Sequence, residues 1–216
     1  MEDPSRIVRG ARLAARLAFR FAEEALRILP PALLPEVLRT ASRSRLRDEL
    51  LLTLEEDTFY EALALLEELG ALRPLYGLSL PEKAPFARLR LPEDTLGRAL
   101  VEARLLLLLF SQEDPLGRAR ALAVPKRLQE DLALLLQAKR GEEVPKEALD
   151  KEPLRSVFLA LFPEREAWLR ERRRVLRGRD LLEMGLPPGP KVGEVLRRVA
   201  EARARGRCAP LRKSWL

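Results

Sequence analysis

The sequence predicts an all-α fold, on three observations. Leucine supplies 48 of the 216 residues, and leucine, alanine, glutamate and arginine recur at helical spacing through almost every segment. Three of these four rank among the best helix formers, and glutamate lies close behind them. Alternating β-branched patterns, which are typical of strands, are absent, while proline and glycine fall between the helical segments. We therefore expect helices joined by turns.

Proline and glycine predict where the individual helices end. Pro30 and Pro31 are expected to end a first helix, and Gly70 is expected to follow a helix over about 57–69. Residues 73–91 are rich in proline, which predicts a linker or long connection. Glu113-Asp114-Pro115 is interpreted as a turn. Further helices are predicted at about 93–111, 125–140, 153–161, 164–176, 179–184 and 190–205.

The composition excludes several kinds of chemistry. No histidine is present, which removes imidazole as a general base or metal ligand. The one cysteine, Cys208, excludes an internal disulfide and any cysteine-rich metal cluster. Carboxylates, hydroxyls and arginines remain, and arginine accounts for 33 of the 40 basic residues. Abundant charge with no asparagine and few glutamines or methionines is typical of a protein from a thermophile.

The apolar content predicts a folded globular protein without a membrane span. At 47% apolar residues, the chain can build one large core or two small ones. The longest apolar run, Leu105 to Phe110, is far shorter than the roughly 20 residues that cross a bilayer. Early acids and recurrent arginines make the N-terminal segment unlike a signal peptide. We expect a cytoplasmic protein.

Positive charge is concentrated at the two ends of the chain. The formal net charge is +7. Residues 165–216 contain 15 basic and 6 acidic side chains, and residues 1–20 contain five arginines and two acids. The remaining residues, 21–164, are therefore net negative. This distribution suggests a polyanion held at two places.

Arginines form a stripe along one face of the predicted first helix. No acid occurs between Arg6 and Arg20, so these like charges repel unless a bound anion or buried carboxylates compensate them. Arginine suits bidentate contact with phosphate or carboxylate. Phosphate binding and internal ion pairs are both open interpretations. At 100° per residue an arc of about 80° holds Arg9, Arg12, Arg16, Arg20 and Arg27, with Arg6 beside it.

The basic C-terminal segment predicts a helical hairpin that could hold phosphate. Gly185 can end the first helix, Pro188-Gly189-Pro190 turns the chain, and the next helix presents its N-terminal amides beside Lys191. A helix N-terminus that a ligand can approach closely over glycine is a ready phosphate site. Helix–turn–helix packing explains these glycines equally well.

The chain begins with Glu2-Asp3-Pro4-Ser5-Arg6, and residues 7–19 continue this motif with further arginines. The motif resembles the neck motif of the bacterial tRNA nucleotidyltransferase and poly(A) polymerase family, which it matches in the spacing of an aspartate, a proline and three arginines. Leu13 and Ala18 depart from it, since the family has Phe and Gly there, but both keep a helix. Residues 42–50 and 62–72 are similar to the family's neck and body, although helix composition alone produces such patterns. Residues 172–196 are similar to its C-terminal pattern.

The resemblance implies a nucleotide-reading role for Asp3 and Arg6. A carboxylate accepts from the exocyclic amine of C or A, and a guanidinium donates to the adjacent ring nitrogen, whereas G and U present the wrong pattern. The alternative is an aspartate N-cap followed by an exposed arginine. The nucleotide-binding candidates are Asp3, Arg6 and Arg9, with ATP and CTP as substrates. The RNA-binding candidates are Arg12, Arg16, Arg20, Arg172, Arg173, Arg174, Arg179, Gly189, Lys191, Gly193, Arg197 and Arg198.

The family's catalytic head, with its paired metal-binding aspartates, has no counterpart in this sequence. Mg²⁺ is therefore expected only at that absent head, and the chain alone is not expected to catalyse transfer. We predict a neck at 1–75, a helical body at 76–163 and a basic RNA-binding tail at 164–216. The leading hypothesis is a fragment of a longer enzyme, or a subunit paired with a separate head, that binds a tRNA or other RNA 3′ end. The alternatives are a free-standing all-α nucleic-acid-binding module and a scaffold protein whose arginines are all ion-paired.

Overall fold

The structure, a computed structural model, describes residues 3–24, 42–93, 97–145, 147–172, 178–185 and 187–204. The described residues form helices, turns and connections and contain no strand, so the all-α prediction is confirmed. The helices are α1 (Ser5–Leu17), α2 (Arg43–Glu55), α3 (Phe59–Glu68), α4 (Leu72–Tyr76), α5 (Lys83–Arg88), α6 (Arg98–Phe110), α7 (Pro115–Ala121), α8 (Lys126–Lys139), α9 (Leu154–Leu161), α10 (Glu166–Arg172), α11 (Gly178–Glu183) and α12 (Pro190–Ala204). A 3₁₀ turn, Pro163–Arg165, precedes α10.

The chain forms two compact units, residues 1–161 and residues 162–216. In the first unit α1 packs against α2 and α3, and α6 packs against α2, α8 and α9. Eight of the 13 residues of α6 are buried, so this leucine-rich helix is the centre of the core. Burial on this scale accounts for most of the stability of such helices, because helix propensity alone is weak.

The first helix ends at Leu17, well before the prolines that were expected to end it. Ala18 adopts a left-handed conformation with φ of 53°, and the N–H of Phe19 donates to the carbonyl of Ala14 over 2.8 Å. These bonds satisfy the last carbonyls of the helix. Arg20 therefore lies beyond α1, and its predicted place on the arginine face is wrong. Arg27 and the proline pair lie outside the described residues.

Short helices occur within, or directly after, two segments that were expected to be irregular. Residues 73–91 carry most of α4 and all of α5. Residues 113 and 114 lie in the bend between α6 and α7, as the turn interpretation predicts, and Asp114 also caps α7 by accepting from the N–H of Gly117 over 3.0 Å. Aspartate at the cap and proline at the first helical position also occur in turns, so the sequence signal is shared by both structures.

The second unit contains α10, α11 and α12, and α11 packs against α12. Leu181 of α11 is buried, and Gly185 follows that helix with φ of 88°. The predicted helix end at this glycine is confirmed. Within the described parts of both units, no helix is long and apolar enough to cross a membrane. The predicted division into neck, body and tail stays a prediction.

Candidate functional site

Asp3 lies immediately before α1, and hydrogen bonds from two residues, Ser5 and Arg45, fix its carboxylate. Oδ1 accepts from the backbone N–H of Ser5 over 3.0 Å, and Oδ2 accepts from Nη1 of Arg45 over 3.0 Å. The backbone hydrogen bond from Ser5 is the main cause that lowers the pKa of Asp3; burial opposes it, and the hydrogen bond from Arg45 adds a smaller lowering effect. The side chain is 28% exposed. At neutral pH it is therefore an ionised, accessible hydrogen-bond acceptor.

Arg6 lies in the first turn of α1, three residues after Asp3, and its side chain is exposed. Its backbone N–H donates to the carbonyl of Asp3 over 3.0 Å. The aspartate thus shapes the start of the helix, as the capping interpretation predicts, although the residue at the cap position itself is Pro4. With the Asp3 side chain 28% exposed and that of Arg6 exposed, this structural role leaves both groups partly open to solvent.

Glu49 of α2 compensates two arginines of the stripe. Its side chain is only 7% exposed, and it lies 2.6 Å from Nη2 of Arg9 and 3.1 Å from Nη2 of Arg12. Hydrogen bonding to this carboxylate raises the pKa of Arg9. A buried carboxylate is tolerated only with such charge-assisted partners.

Glu56, just after α2, is the second carboxylate that faces the stripe. It lies 3.8 Å from Nη1 of Arg12 and 3.6 Å from Nη1 of Arg16. Arg12 is 16% exposed and contacts both glutamates, whereas Arg9 and Arg16 are largely exposed. Arg9, Arg12 and Arg16 therefore lie in internal ion pairs, as one of the two interpretations of the stripe predicts. Their contact with a nucleotide or RNA stays a prediction.

The pairs between α1 and α2 follow the same order along both helices. Asp3 meets Arg45, Arg9 and Arg12 meet Glu49, and Arg12 and Arg16 meet Glu56. The two helices consequently run side by side in the same direction. The sequence assigned no site to Arg45, Glu49 or Glu56, although positions 45, 49 and 56 share an arc of about 40° on a helical wheel. That shared face was the sequence signal that could have identified these three residues as partners of α1.

Contacts with the surrounding helices fix the position of α2. The buried hydroxyl of Tyr76 donates to the carbonyl of Leu46 over 2.9 Å. At the other end, Nη1 of Arg104 donates to the carbonyls of Leu54 and Glu56 over 2.7 and 3.0 Å. The same guanidinium lies 4.1 Å from the ring centroid of Phe59. These bonds satisfy carbonyls at the helix end and hold the carboxylates of α2 against α1.

The predicted RNA-binding residues of the second unit lie on the surface of α11 and α12 where the structure describes them. Arg179, Lys191, Arg197 and Arg198 have exposed side chains. Arg198 lies 3.7 Å from Glu194, and both side chains are largely exposed, so this pair is weak. A Cβ added at Gly189 or Gly193 would meet no atom within 4 Å, which leaves the start of α12 open to close approach. The structure describes no side chain for Arg172, and Arg173 and Arg174 lie outside the described residues.

The described residues do not fit a metal site. Among them no group of three or more acidic or cysteine side chains is placed to hold an ion.

Fold and site together define an all-α protein in which a helix with an arginine face is held against a helix that carries carboxylates, followed by a basic helical unit.

No family model matches the chain. A curated relative, the A-adding tRNA nucleotidyltransferase of Aquifex aeolicus, is 42% identical over 65 residues, which are 30% of this chain and 8% of that protein.

Solved structures extend the likeness to nearly the whole chain. A tRNA-processing enzyme has a TM-score of 0.58 and 24% identity, and the match covers 95% of this chain and 62% of that one. A tRNA-processing enzyme solved with CTP has a TM-score of 0.57 and 23% identity, and the match covers 95% of this chain and 61% of that one. A CCA-adding enzyme solved with ATP has a TM-score of 0.58 and 21% identity, and the match covers 97% of this chain and 57% of that one.

The resemblance found in the sequence is confirmed by these comparisons. The chain shares the fold of CCA-adding and tRNA-processing enzymes, and it spans about six tenths of the length of those structures. It spans less than a tenth of the curated relative.

Proposed function

We propose that this chain is the nucleotide-selecting and RNA-binding C-terminal part of a tRNA nucleotidyltransferase or poly(A) polymerase, which adds C, A or both to RNA 3′ ends. The observation that carries the proposal is Asp3, an ionised acceptor held at the surface beside Arg6, at the start of a helix in a fold shared with CCA-adding enzymes. The likeness to structures solved with CTP and with ATP supports nucleotide substrates of this kind.

The geometry supports a reading mechanism that depends on donors and acceptors. Asp3 presents only acceptors when ionised, so it pairs with the exocyclic amine of C or A and repels the carbonyl oxygen that U or G presents there. The Arg6 guanidinium presents only donors and suits the adjacent ring nitrogen. In this proposal Asp3 and Arg6 read the base, and Arg9, anchored on Glu49, adds positive charge beside them.

The proposal gives the RNA a separate set of contacts. Arg16 and Arg20 are exposed near the end of α1, and Arg179, Lys191, Arg197 and Arg198 are exposed in the second unit. Because the sequence contains few aromatic residues, with seven Phe, two Trp and two Tyr, contact with the phosphates of a folded RNA such as tRNA suits these cations better than base stacking. Arg12 is the most enclosed of these arginines and serves in the proposal to join Glu49 to Glu56. The catalytic metal and its carboxylates would belong to a head domain.

The experiment that tests nucleotide selection uses Asp3→Asn. The chain is combined with a catalytic head of this family, and addition to tRNA lacking its 3′ end is measured with each of the four nucleoside triphosphates and magnesium. An amide both donates and accepts, so we expect the preference for C and A over U and G to fall by roughly tenfold or more. Asp48→Asn is the matched control, since Asp48 is an exposed carboxylate paired with Arg47. An unchanged preference in Asp3→Asn contradicts the proposal.

A further inference from the structure

We propose that Arg45 is a positioning residue for nucleotide selection, since its guanidinium, 3.0 Å from Oδ2 of Asp3, sets which oxygen lone pairs of that carboxylate face a base. The inference rests on the proposed function and adds a residue to it. Arg45 belongs to α2, 42 positions away from Asp3 in the sequence, so the contact exists only in the folded chain.

The donors that Ser5 and Arg45 direct at Asp3 leave part of the carboxylate available. A carboxylate has about four lone-pair sites on its two oxygens. The N–H of Ser5 occupies one site on Oδ1, and Nη1 of Arg45 occupies one on Oδ2. The Ser5 hydroxyl is a further hydrogen-bond donor to this carboxylate, so bonds from two residues fix the plane of the group and at least one lone-pair site stays open. Without Arg45 the group would be held by Ser5 alone.

The position of Arg45 is itself set by neighbouring contacts. Its backbone N–H donates to Oγ of Ser42, the N-cap of α2, over 3.4 Å. One turn further on, Glu49 binds Arg9 and Arg12 of α1. The cap and this ion-pair group hold the start of α2 beside the start of α1, which brings the guanidinium to Asp3.

Replacement of Arg45 is expected to leave the fold intact. The side chain is 72% exposed and contributes nothing to the buried core. Arg47, two residues further along the same helix, pairs with Asp48 at 3.3 Å and provides a matched control. Neither exposed pair is expected to contribute much to stability. Differences between the two variants will therefore report on Asp3 and not on the amount of folded protein.

The first measurement is direct and needs no catalytic head. The carboxyl carbon of Asp3 is titrated by NMR in the full chain and in Arg45→Gln, Arg45→Lys and Arg47→Gln. We expect the pKa of Asp3 to rise in Arg45→Gln, to rise less in Arg45→Lys, which keeps the charge, and to stay unchanged in Arg47→Gln. An unchanged pKa of Asp3 in Arg45→Gln overturns the inference.

The second measurement is nucleotide selectivity as a function of pH, with the chain supplied with a catalytic head. Arg45→Gln is expected to lose roughly tenfold of the preference for C and A over U and G. The loss should grow as the pH falls, because a protonated carboxyl can donate to the carbonyl of U or G. Equal selectivity in Arg45→Gln and Arg47→Gln, in an assay where Asp3→Asn does change selectivity, overturns the inference alone. If Asp3→Asn also has no effect, the proposed function itself fails.

Discussion

Nη2 of Arg12 lies 3.1 Å from Oε2 of Glu49, and this contact joins α1 to α2 in a place that is nearly closed to water. The same carboxylate binds Arg9, and Arg12 continues to Glu56. Four arginines and three carboxylates form these pairs between the two helices, an excess of one positive charge among them, and the Arg6 side chain is exposed at the start of α1. The stripe is thus a structural element and an electropositive surface together.

Glu49→Gln is expected to lower the free energy of unfolding by about 2–4 kcal/mol, because it leaves the enclosed guanidinium of Arg12 without its main counter-charge. Urea unfolding followed by circular dichroism measures this. Glu68→Gln, an exposed carboxylate at the end of α3, should change the value by less than about 0.5 kcal/mol. Equal stabilities of the two variants would show that Glu49 is not needed to hold the arginines.

Tyr76→Phe tests the buried hydroxyl that bonds to Leu46. At neutral pH we expect the free energy of unfolding to fall by about 1 kcal/mol, the contribution of one hydrogen bond. Burial, together with the charge of Glu49, raises the pKa of Tyr76 above the ordinary tyrosine value of 10.0. The unfolded chain releases this proton first, so stability should fall as the pH rises above about 10.

The pH dependence of the wild-type protein relative to Tyr76→Phe isolates that one hydroxyl. Above pH 10 the advantage of the wild type in free energy of unfolding should fall by up to about 1.4 kcal/mol per pH unit, the slope for one proton, so that Tyr76→Phe becomes the more stable protein near pH 11. Thermal or urea unfolding between pH 8 and pH 11 provides the data. Parallel curves over this range would mean that Tyr76 titrates as an exposed tyrosine does.

Arg104→Lys tests the contact that closes the end of α2. Lysine keeps the charge but lacks the planar guanidinium that lies over the ring of Phe59. We therefore expect the free energy of unfolding to fall by about 1.5–3 kcal/mol. Burial lowers the pKa of Arg104, in keeping with a partly desolvated guanidinium. Amide hydrogen exchange should quicken at residues 56–59 in this variant. Unchanged exchange there would place the stabilising effect of Arg104 elsewhere.

The second unit should bind RNA with a steep dependence on salt. Replacing Lys191, Arg197 and Arg198 together by glutamine is expected to make the slope of the logarithm of the RNA association constant against log salt shallower by about 2. Each phosphate contact contributes roughly 0.7–0.9 to that slope. Filter binding of tRNA at several salt concentrations gives this slope. Arg140→Gln, an exposed arginine of the first unit paired with Glu142 at 2.7 Å, is the control. A flat dependence in the wild-type chain contradicts RNA binding by this unit.

The helical character and most helix boundaries could be predicted from local sequence. Gly70 and Gly185 have positive φ at the ends of their helices, as the glycine pattern indicates. The end of α1 could not be predicted in this way, because it depends on a left-handed conformation of Ala18, and alanine rarely adopts this conformation. The pairing of Arg12 with Glu49 and Glu56 depends on which helices pack together, and that is a tertiary property. The charge argument still predicted that the arginines need compensation.

Nucleotide addition by the chain together with a catalytic head tests the central claim most directly. The head of a related enzyme, tRNA lacking its 3′ end, all four nucleoside triphosphates and magnesium are incubated with and without this chain, and the added nucleotides are identified. We expect addition to require the chain, to consist of C, A or both, and to lose this restriction when Asp3 and Arg6 are replaced together. Addition that is equally efficient and equally selective without the chain, or with the double variant, would contradict the account.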